Sequence, residues 1–322
     1  MKKNIAIVMG GFSSEVNISL KSGAVVYKKL NREKYNPFQI HILKEKWVVI
    51  VDEIEYPIDK NDFSVTLGGT KITFDCVFNA IHGAPGENGE LLAYFQLLGI
   101  KHTSAPFYQM ALTFNKRDCL SVVKHYGIPT ANSVYLNKGD FVNTDTIIAK
   151  VGLPCFIKPN NAGSSFGISK AYSAEEIILG IEKAYKEDSE ILIESFLDGR
   201  EVSVGVIQYK GEIKVLPITE ITTENDFFDY EAKYEGKSDE ITPAQLPEDV
   251  AQRIRTVAKK VYTVLNMSGF SRSEYILVNG EPHFLEMNTV PGLTGESLLP
   301  QQANEANIDL SDLFDNAIES VL

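Results

Sequence analysis

Glu286 and Asn288 lie two residues apart near the C-terminal end of the chain, with Glu274 and Arg272 shortly before them. Side chains two apart on an extended strand leave the same face, so Glu286 and Asn288 project together. β-Branched and aromatic residues at 273–278 and 282–288 flank Asn279-Gly280, a pair that favours a two-residue hairpin turn. In such a hairpin Glu274 pairs across onto the same face, and three hard oxygen-bearing side chains converge beside Arg272. That donor set suits a magnesium–nucleotide, because Mg²⁺ takes a few carboxylate or amide oxygens and completes its octahedron with phosphate oxygens. Glu-x-Asn alone more readily describes a hairpin with a solvated acidic edge. Pro291-Gly292 just beyond shifts the balance, since a glycine there lets backbone N–H groups approach a ligand.

Phosphate chemistry needs further groups. Residues 153–158 read as a strand leading into the loop KPNNAGSSFG, and 168–171 as a strand after it. Gly163, Ser164, Ser165 and Gly167 offer backbone N–H groups and hydroxyls to phosphate oxygens, and Lys158 offers charge. The loop by itself describes a flexible hairpin equally well. Neither G-x-x-x-x-G-K-[ST] nor G-x-G-x-x-G occurs, so the Walker A loop and the dinucleotide fingerprint are both absent. Any ATP must be held by another fold. Lys116 opens a helix over 115–125 that Gly127 and Pro129 close; it reaches a phosphate or is simply solvated. Glu194 and Glu201 end and begin the strands 190–196 and 201–209, where they can read an adenine amino group and ribose hydroxyls.

The elements that must position these groups follow an α/β pattern. Residues 4–9, Gly10-Gly11 and an amphipathic segment to Leu30 open a Rossmann-like layer. Glu15 sits near the helix N-terminus, favoured there by the macrodipole either as a cap or as a ligand group. Strands over 38–43 and 75–81 follow, the latter ending in a glycine-rich loop that carries His82. His82 serves a loop carbonyl or a ligand. A capping box at 173–176 starts a helix to Lys186. Val250, Ile254, Val257, Val261 and Leu265 form the core stripe of a helix over 249–265, and 310–321 is a final helix. The polar, aromatic stretch 224–247 has no clear period and reads as an ordered active-site flap.

At 322 residues two or three domains are expected. The division is 1–104 Rossmann-like, 105–197 and 198–322. A net charge of −12 argues against nucleic acid or an anionic membrane as partner. Cys76, Cys119 and Cys155 read as buried thiols of a reducing compartment, and no stretch is long enough to span a bilayer. A cytoplasmic protein is expected.

Together the segments GGFSSEVNISLKSG (10–23), HGAPGENGE (82–90), KPNNAGSSFGISK (158–170), IESFLDGREVSV (193–204), FFDYEAKY (227–234), SRSEYI (271–276) and FLEMNTVPGLTGESLLP (284–300) resemble the ATP-grasp superfamily. Within it they resemble the D-alanine–D-alanine ligases, in the family's order and over nearly the whole chain. The resemblance implies an α/β (α+β) three-domain ATP-grasp fold and the joining of two D-alanines through a D-alanyl phosphate, for peptidoglycan precursors. It implies that Lys116, Lys158, Glu194, Leu197 and Glu201 hold ATP, with the 163–167 loop over the phosphates. Glu274, Glu286 and Asn288 would ligate two Mg²⁺, or Mn²⁺ in their place. Glu15 would take the first ammonium with His82 close by, and Arg272 and the Gly292 N–H the oxyanion. Lys233 and Ser297 would bind the second carboxylate, and Ser164 and Tyr234 would join Glu15 in a triad that shuts the flap. A homodimer is implied by the family alone. Glu274, Asn115 and Asn88 stand where the family commonly has Asp, and none of these exchanges removes a required group. The resemblance leaves as alternatives a ligase with another second substrate and a silent nucleotide-binding relative.

Overall fold

The computed structural model describes residues 2–163, 166–223 and 238–322. Lys3–Gly10 (β1) leads through helix Val16–Lys29 (α1) to Tyr35–Ile42 (β2), which runs parallel to it. Trp47–Val51 (β3), Ile54–Asp59 (β4), Ser64–Leu67 (β5) and Thr70–Ile72 (β6) then meander antiparallel. Cys76–Asn79 (β7) returns to the other side of β1, giving the order β6-β5-β4-β3-β2-β1-β7. The parallel part is the Rossmann-like layer expected from residues 4–81. The meander had no sequence expectation, because β4 and β6 are short and mostly exposed and lack the clean alternation of a half-buried strand.

Helices Glu90–Leu97 (α2), Phe107–Phe114 (α3) and Lys116–His125 (α4) carry the chain onward. The second sheet is fully antiparallel. Ser133–Asn137 (β8), Cys155–Pro159 (β9), Ser169–Ala171 (β10) and Glu190–Ser195 (β11) order as β10-β9-β11-β8. Helices Thr144–Val151 (α5) and Ala174–Ala184 (α6) close its apolar face around Ile157, Ile177, Ile181, Ile191 and Ile193. The capping box is half kept: Ser173 Oγ accepts the Glu176 N–H at 3.3 Å, but Glu176 turns to the Tyr172 N–H at 2.7 Å.

The third sheet orders Ser238–Ile241 (β14), Glu212–Thr223 (β13), Arg200–Tyr209 (β12), Phe270–Val278 (β15) and Glu281–Asn288 (β16) side by side. β14 corrects part of the irregular 224–247 expectation: four of those residues pair with β13. Helix Glu248–Val264 (α7) covers the sheet with Ala251, Ile254, Ala258, Val261 and Tyr262 buried. Val250 and Val257 are only half-buried, so the core stripe is turned by about one residue toward two alanines, whose small side chains let the helix sit close. Helices Leu298–Glu305 (α8) and Leu310–Glu319 (α9) finish the chain. Phe314 and Ile318 of α9 pack with Ile5, Ile7 and Val26, joining the two ends of the chain in one core. All three cysteines are buried and free. Among the described residues, no helix is long and apolar enough to cross a membrane.

Candidate active site

The β15–β16 hairpin carries the acidic constellation. Asn279 and Gly280 both take positive φ, 52° and 79°, which is the backbone a two-residue turn matched to strand twist requires. The pairing set by the turn runs to Tyr275–Phe284, and a bulge just beyond it shifts the register so that Glu274 stands opposite Glu286 and Arg272 opposite Asn288. Arg272 Nη2 lies 3.2 Å from Glu274 Oε1, and Asn288 Nδ2 donates to the same oxygen at 3.4 Å. Lys116 Nζ stands 3.3 Å from Glu286 Oε2. Two carboxylates directly across a strand pair repel, so the arrangement needs cations. Among the described residues, no group of three or more His, Cys, Asp or Glu side chains could hold a metal ion by itself. Glu274, Glu286 and Asn288 instead supply two carboxylates and an amide, the kind of oxygen donors that Mg²⁺ takes when other ligands fill its octahedron.

A cleft of about 450 Å³ opens between the second and third sheets. Phe156, Ile168, Leu197, Ile276 and Leu285 give it apolar walls, and Lys116, Lys158, Glu194 and Glu201 give it charge. Lys158 Nζ meets Glu194 Oε2 at 2.8 Å. Burial works against the Lys158 charge, but Glu194, with Glu286 and Glu201 beyond it, holds the amine's pKa above its usual value. Glu194 is 3% exposed, and its other oxygen, Oε1, is buried without a hydrogen-bond partner. Such a group demands an explanation, and a donor on a ligand in the cleft supplies one. Lys116 Nζ also donates to the Ala162 carbonyl at 2.7 Å, tying α4 to the base of the 163–167 loop. Asn115 N-caps α4 by accepting the Asp118 N–H at 3.0 Å, so its amide oxygen does what an Asp would do there.

Glu15 ends the turn before α1, yet its side chain makes no capping bond. Its carboxylate faces the phosphate loop. A Cβ on Gly163 would fall 2.8 Å from Glu15 Oε2, so a side chain there would displace the Glu15 carboxylate. Gly163→Ala is expected to push loop and carboxylate apart and to lower kcat/KM on the order of 10²-fold with an unchanged Tm. Steady-state kinetics beside a thermal melt checks this. Ser164, Ser165, Lys233 and Tyr234, with most of the expected flap, lie outside the described residues.

A second cavity of about 370 Å³ is lined by Glu15, His82, Arg272, Asn288, Gly292 and Ser297. Lys116, Glu274 and Glu286 line both cavities. A side chain on Gly292 would collide with Ser297 Oγ at 2.5 Å, so this backbone reaches the cavity only as glycine. A cleft with apolar walls and buried charge therefore abuts a small polar chamber, with Lys116, Glu274 and Glu286 on the shared wall.

The N-terminal residues 4–105 match the family model described as D-ala D-ala ligase N-terminus, and residues 122–319 match D-ala D-ala ligase C-terminus. The chain belongs to the D-alanine–D-alanine ligase family. It is 67% identical to a D-alanine–D-alanine ligase of Flavobacterium johnsoniae over 98% of both chains. It is 55% identical to the Christiangramia forsetii enzyme of that name, over 100% of this chain and 99% of the other. Among solved structures it is similar to the VanG D-Ala:D-Ser ligase of Enterococcus faecalis, at 30% identity and a TM-score of 0.88 over 99% of each chain. The D-alanine–D-alanine ligase of Bacillus anthracis aligns at 30% identity and TM-score 0.82, over 98% and 96%. The ATP-grasp fold is thereby shown.

The sequence offered His82 as serving a loop carbonyl or a ligand and gave Glu87 no role, and the structure supplies partners for both. His82 is 6% exposed, and its Nε2 lies 3.0 Å from Ser22 Oγ, which itself accepts the Leu293 N–H at 3.2 Å. A further bond runs from the imidazole to the Val290 backbone, and burial pushes its pKa down. His82 thus braces the loop that carries Gly292 from its place in the chamber wall. Glu87 does the same from the other side: Oε1 accepts the Thr289 and Val290 N–H groups at 3.0 and 3.3 Å, and Oε2 accepts the Gly83 N–H at 3.0 Å. The only hint was its place in the glycine-rich loop 82–90.

Burial, then the nearby Glu15 charge, lifts the Glu87 carboxyl to about 7 against those three donors. A carboxyl raised in the folded state contributes stability that is present below its unfolded value, near 4.5, and lost as pH rises through about 7. Compared with Glu87→Gln, the native chain should therefore lose on the order of 3 kcal/mol of relative stability between pH 5 and 8. Denaturant melts of both proteins across that range would show parallel curves if Glu87 were ionised throughout.

Proposed function

We infer that this chain condenses two D-alanines to D-alanyl-D-alanine with ATP, through a D-alanyl phosphate, in supplying peptidoglycan precursors. The observation that carries the reading is the wall of Lys116, Glu274 and Glu286 common to the nucleotide cleft and the polar chamber. A phosphoryl group presented on that wall from one side meets an amino-acid carboxylate held on the other.

Lys158, Glu194, Leu197 and Glu201 hold the nucleotide, and the 163–167 loop closes over its phosphates. Two divalent cations, held by Glu274, Glu286 and Asn288, would neutralise phosphate charge as it spreads in transfer. Glu15 takes the ammonium of the first D-alanine, whose carboxylate oxygen attacks the γ-phosphorus and releases ADP. Ser297, with Lys233, takes the second carboxylate. The second amine then attacks the acyl carbon; Arg272 and the Gly292 N–H face the developing oxyanion, and phosphate leaves. Ser164 and Tyr234 complete the closure around Glu15, which keeps water from the acyl phosphate. The reading divides the chain at about residues 104 and 197 and includes a cytoplasmic homodimer, which rests on the family alone.

The test is ATP-dependent phosphate release with Mg²⁺ and D-alanine, compared with L-alanine, D-serine and D-lactate, with products identified by mass. Release with a D-alanyl-D-alanine product is expected. A mixed product from D-alanine plus D-serine in preference would move this chain toward the activity named for the VanG relative. No release with any acceptor would overturn the reading.

A further inference from the structure

Glu240 is a carboxylate in the chamber that none of these steps uses. It lies on β14, paired with Ile221 of β13, and its side chain lines the chamber together with Arg272, Ser297 and Leu298. Gln301 of α8 donates to its Oε2 at 3.1 Å, and the same amide nitrogen donates to the Glu296 carbonyl at 2.8 Å. The Gln301 N–H in turn donates to the Ser297 carbonyl at 3.1 Å. Ser297 and Gln301, whose amide orients Glu240, are thus four residues apart on one face of α8, about 6 Å along the axis.

Resting on the proposed function, we propose that Glu240 is a specificity residue for the second substrate: its carboxylate accepts from the incoming ammonium while Ser297 takes the carboxylate end. Charge favours this placement. Lys21, Lys116 and Arg272 also line the chamber, and an ammonium entering beside three cations needs an anion of its own. Glu274 is already in contact with Arg272 at 3.2 Å and with Asn288, and Glu286 faces Lys116. Glu240 has the neutral Gln301 amide as its hydrogen-bond partner, and burial raises its pKa against that bond and the Arg272 charge. An ammonium brings that carboxylate a positive charge, whereas D-lactate, with a hydroxyl in its place, brings no charge.

The test uses the full chain with Mg²⁺-ATP and compares wild type with Glu240→Gln and Glu240→Asp. Glu240→Gln keeps an oxygen for Gln301 and removes only the charge. Losing a charge-assisted hydrogen bond should raise the KM of the second D-alanine site about tenfold, with the first-site KM and the ATP KM unmoved. In competition, the ratio of D-alanyl-D-alanine to D-alanyl-D-lactate should fall by a similar factor, and Glu240→Asp should recover part of it. An unchanged product ratio, or all KM values rising together with a lower Tm, would mean that Glu240 only braces α8, and the proposal falls. Wild-type enzyme that makes no dipeptide would instead remove the proposed function itself, a result distinct from either.

Discussion

Glu286→Ala is expected to abolish measurable turnover while the protein still folds. Its carboxylate is on the wall shared by both cavities and lies opposite Glu274, so its loss takes away one of two carboxylates available to a divalent cation. Loss of cation-borne charge stabilisation at the transferring phosphoryl group costs several kcal/mol of barrier, a fall on the order of 10³-fold or more in kcat. Stability should change little, because the side chain is about a quarter exposed and its near partner, Lys116, keeps its bond to the Ala162 carbonyl. Phosphate release and a thermal melt on the same preparation decide it. Near-normal turnover would remove Glu286 from the metal set.

The second large effect belongs to Lys158. In Lys158→Met the stem remains but the charge goes, leaving Glu194 buried at 3% exposure with neither oxygen paired to a cation. Breaking one side of a buried ion pair costs about 3–5 kcal/mol, so a large fall in Tm is expected. Pairing the change with Glu194→Gln should restore most of that loss, since the uncompensated charge is then gone. Nucleotide binding should not return with it. The lysine's charge is needed at the phosphates, and the ATP KM of both variants should stay raised on the order of 10²-fold. If the double variant recovered ATP affinity together with stability, Lys158 would be serving Glu194 alone.

Much of the site was legible because its groups lie on short, regular elements. Asn279-Gly280 marks the turn and the period of two puts Glu286 and Asn288 on a common face, but a bulge beyond Tyr275–Phe284, with no signal in the sequence, is what sets Glu274 opposite Glu286. Motif spacing carried the family, and with it the ATP-grasp fold that the family models and relatives bear out. Local propensity was less informative where packing decides. The rotation of α7 toward Ala251 and Ala258 follows from how closely the helix sits on its sheet. The β3–β6 meander consists of strands with too little buried surface to pattern their residues. β14 is held by pairing to β13, a partner remote from any local signal.

The sequence by itself determined the chemistry: which carboxylates, lysines and glycines the chain has, and the hairpin and loops on which they ride. Only the tertiary structure decided what those groups face. Glu87 and His82 are separated in sequence from residues 289–293 by about two hundred positions, and no periodicity relates them. Their roles exist because the first and third sheets pack together, which buries the Glu87 carboxyl against backbone N–H groups that would otherwise be left unpaired and the His82 imidazole against Ser22. Glu240 is likewise an ordinary acidic residue of a polar stretch until β14 aligns beside β13 and α8 presents Gln301. Long-range burial assigns its role, because an interior of low polarity makes each charge depend on whichever partner the fold brings to it.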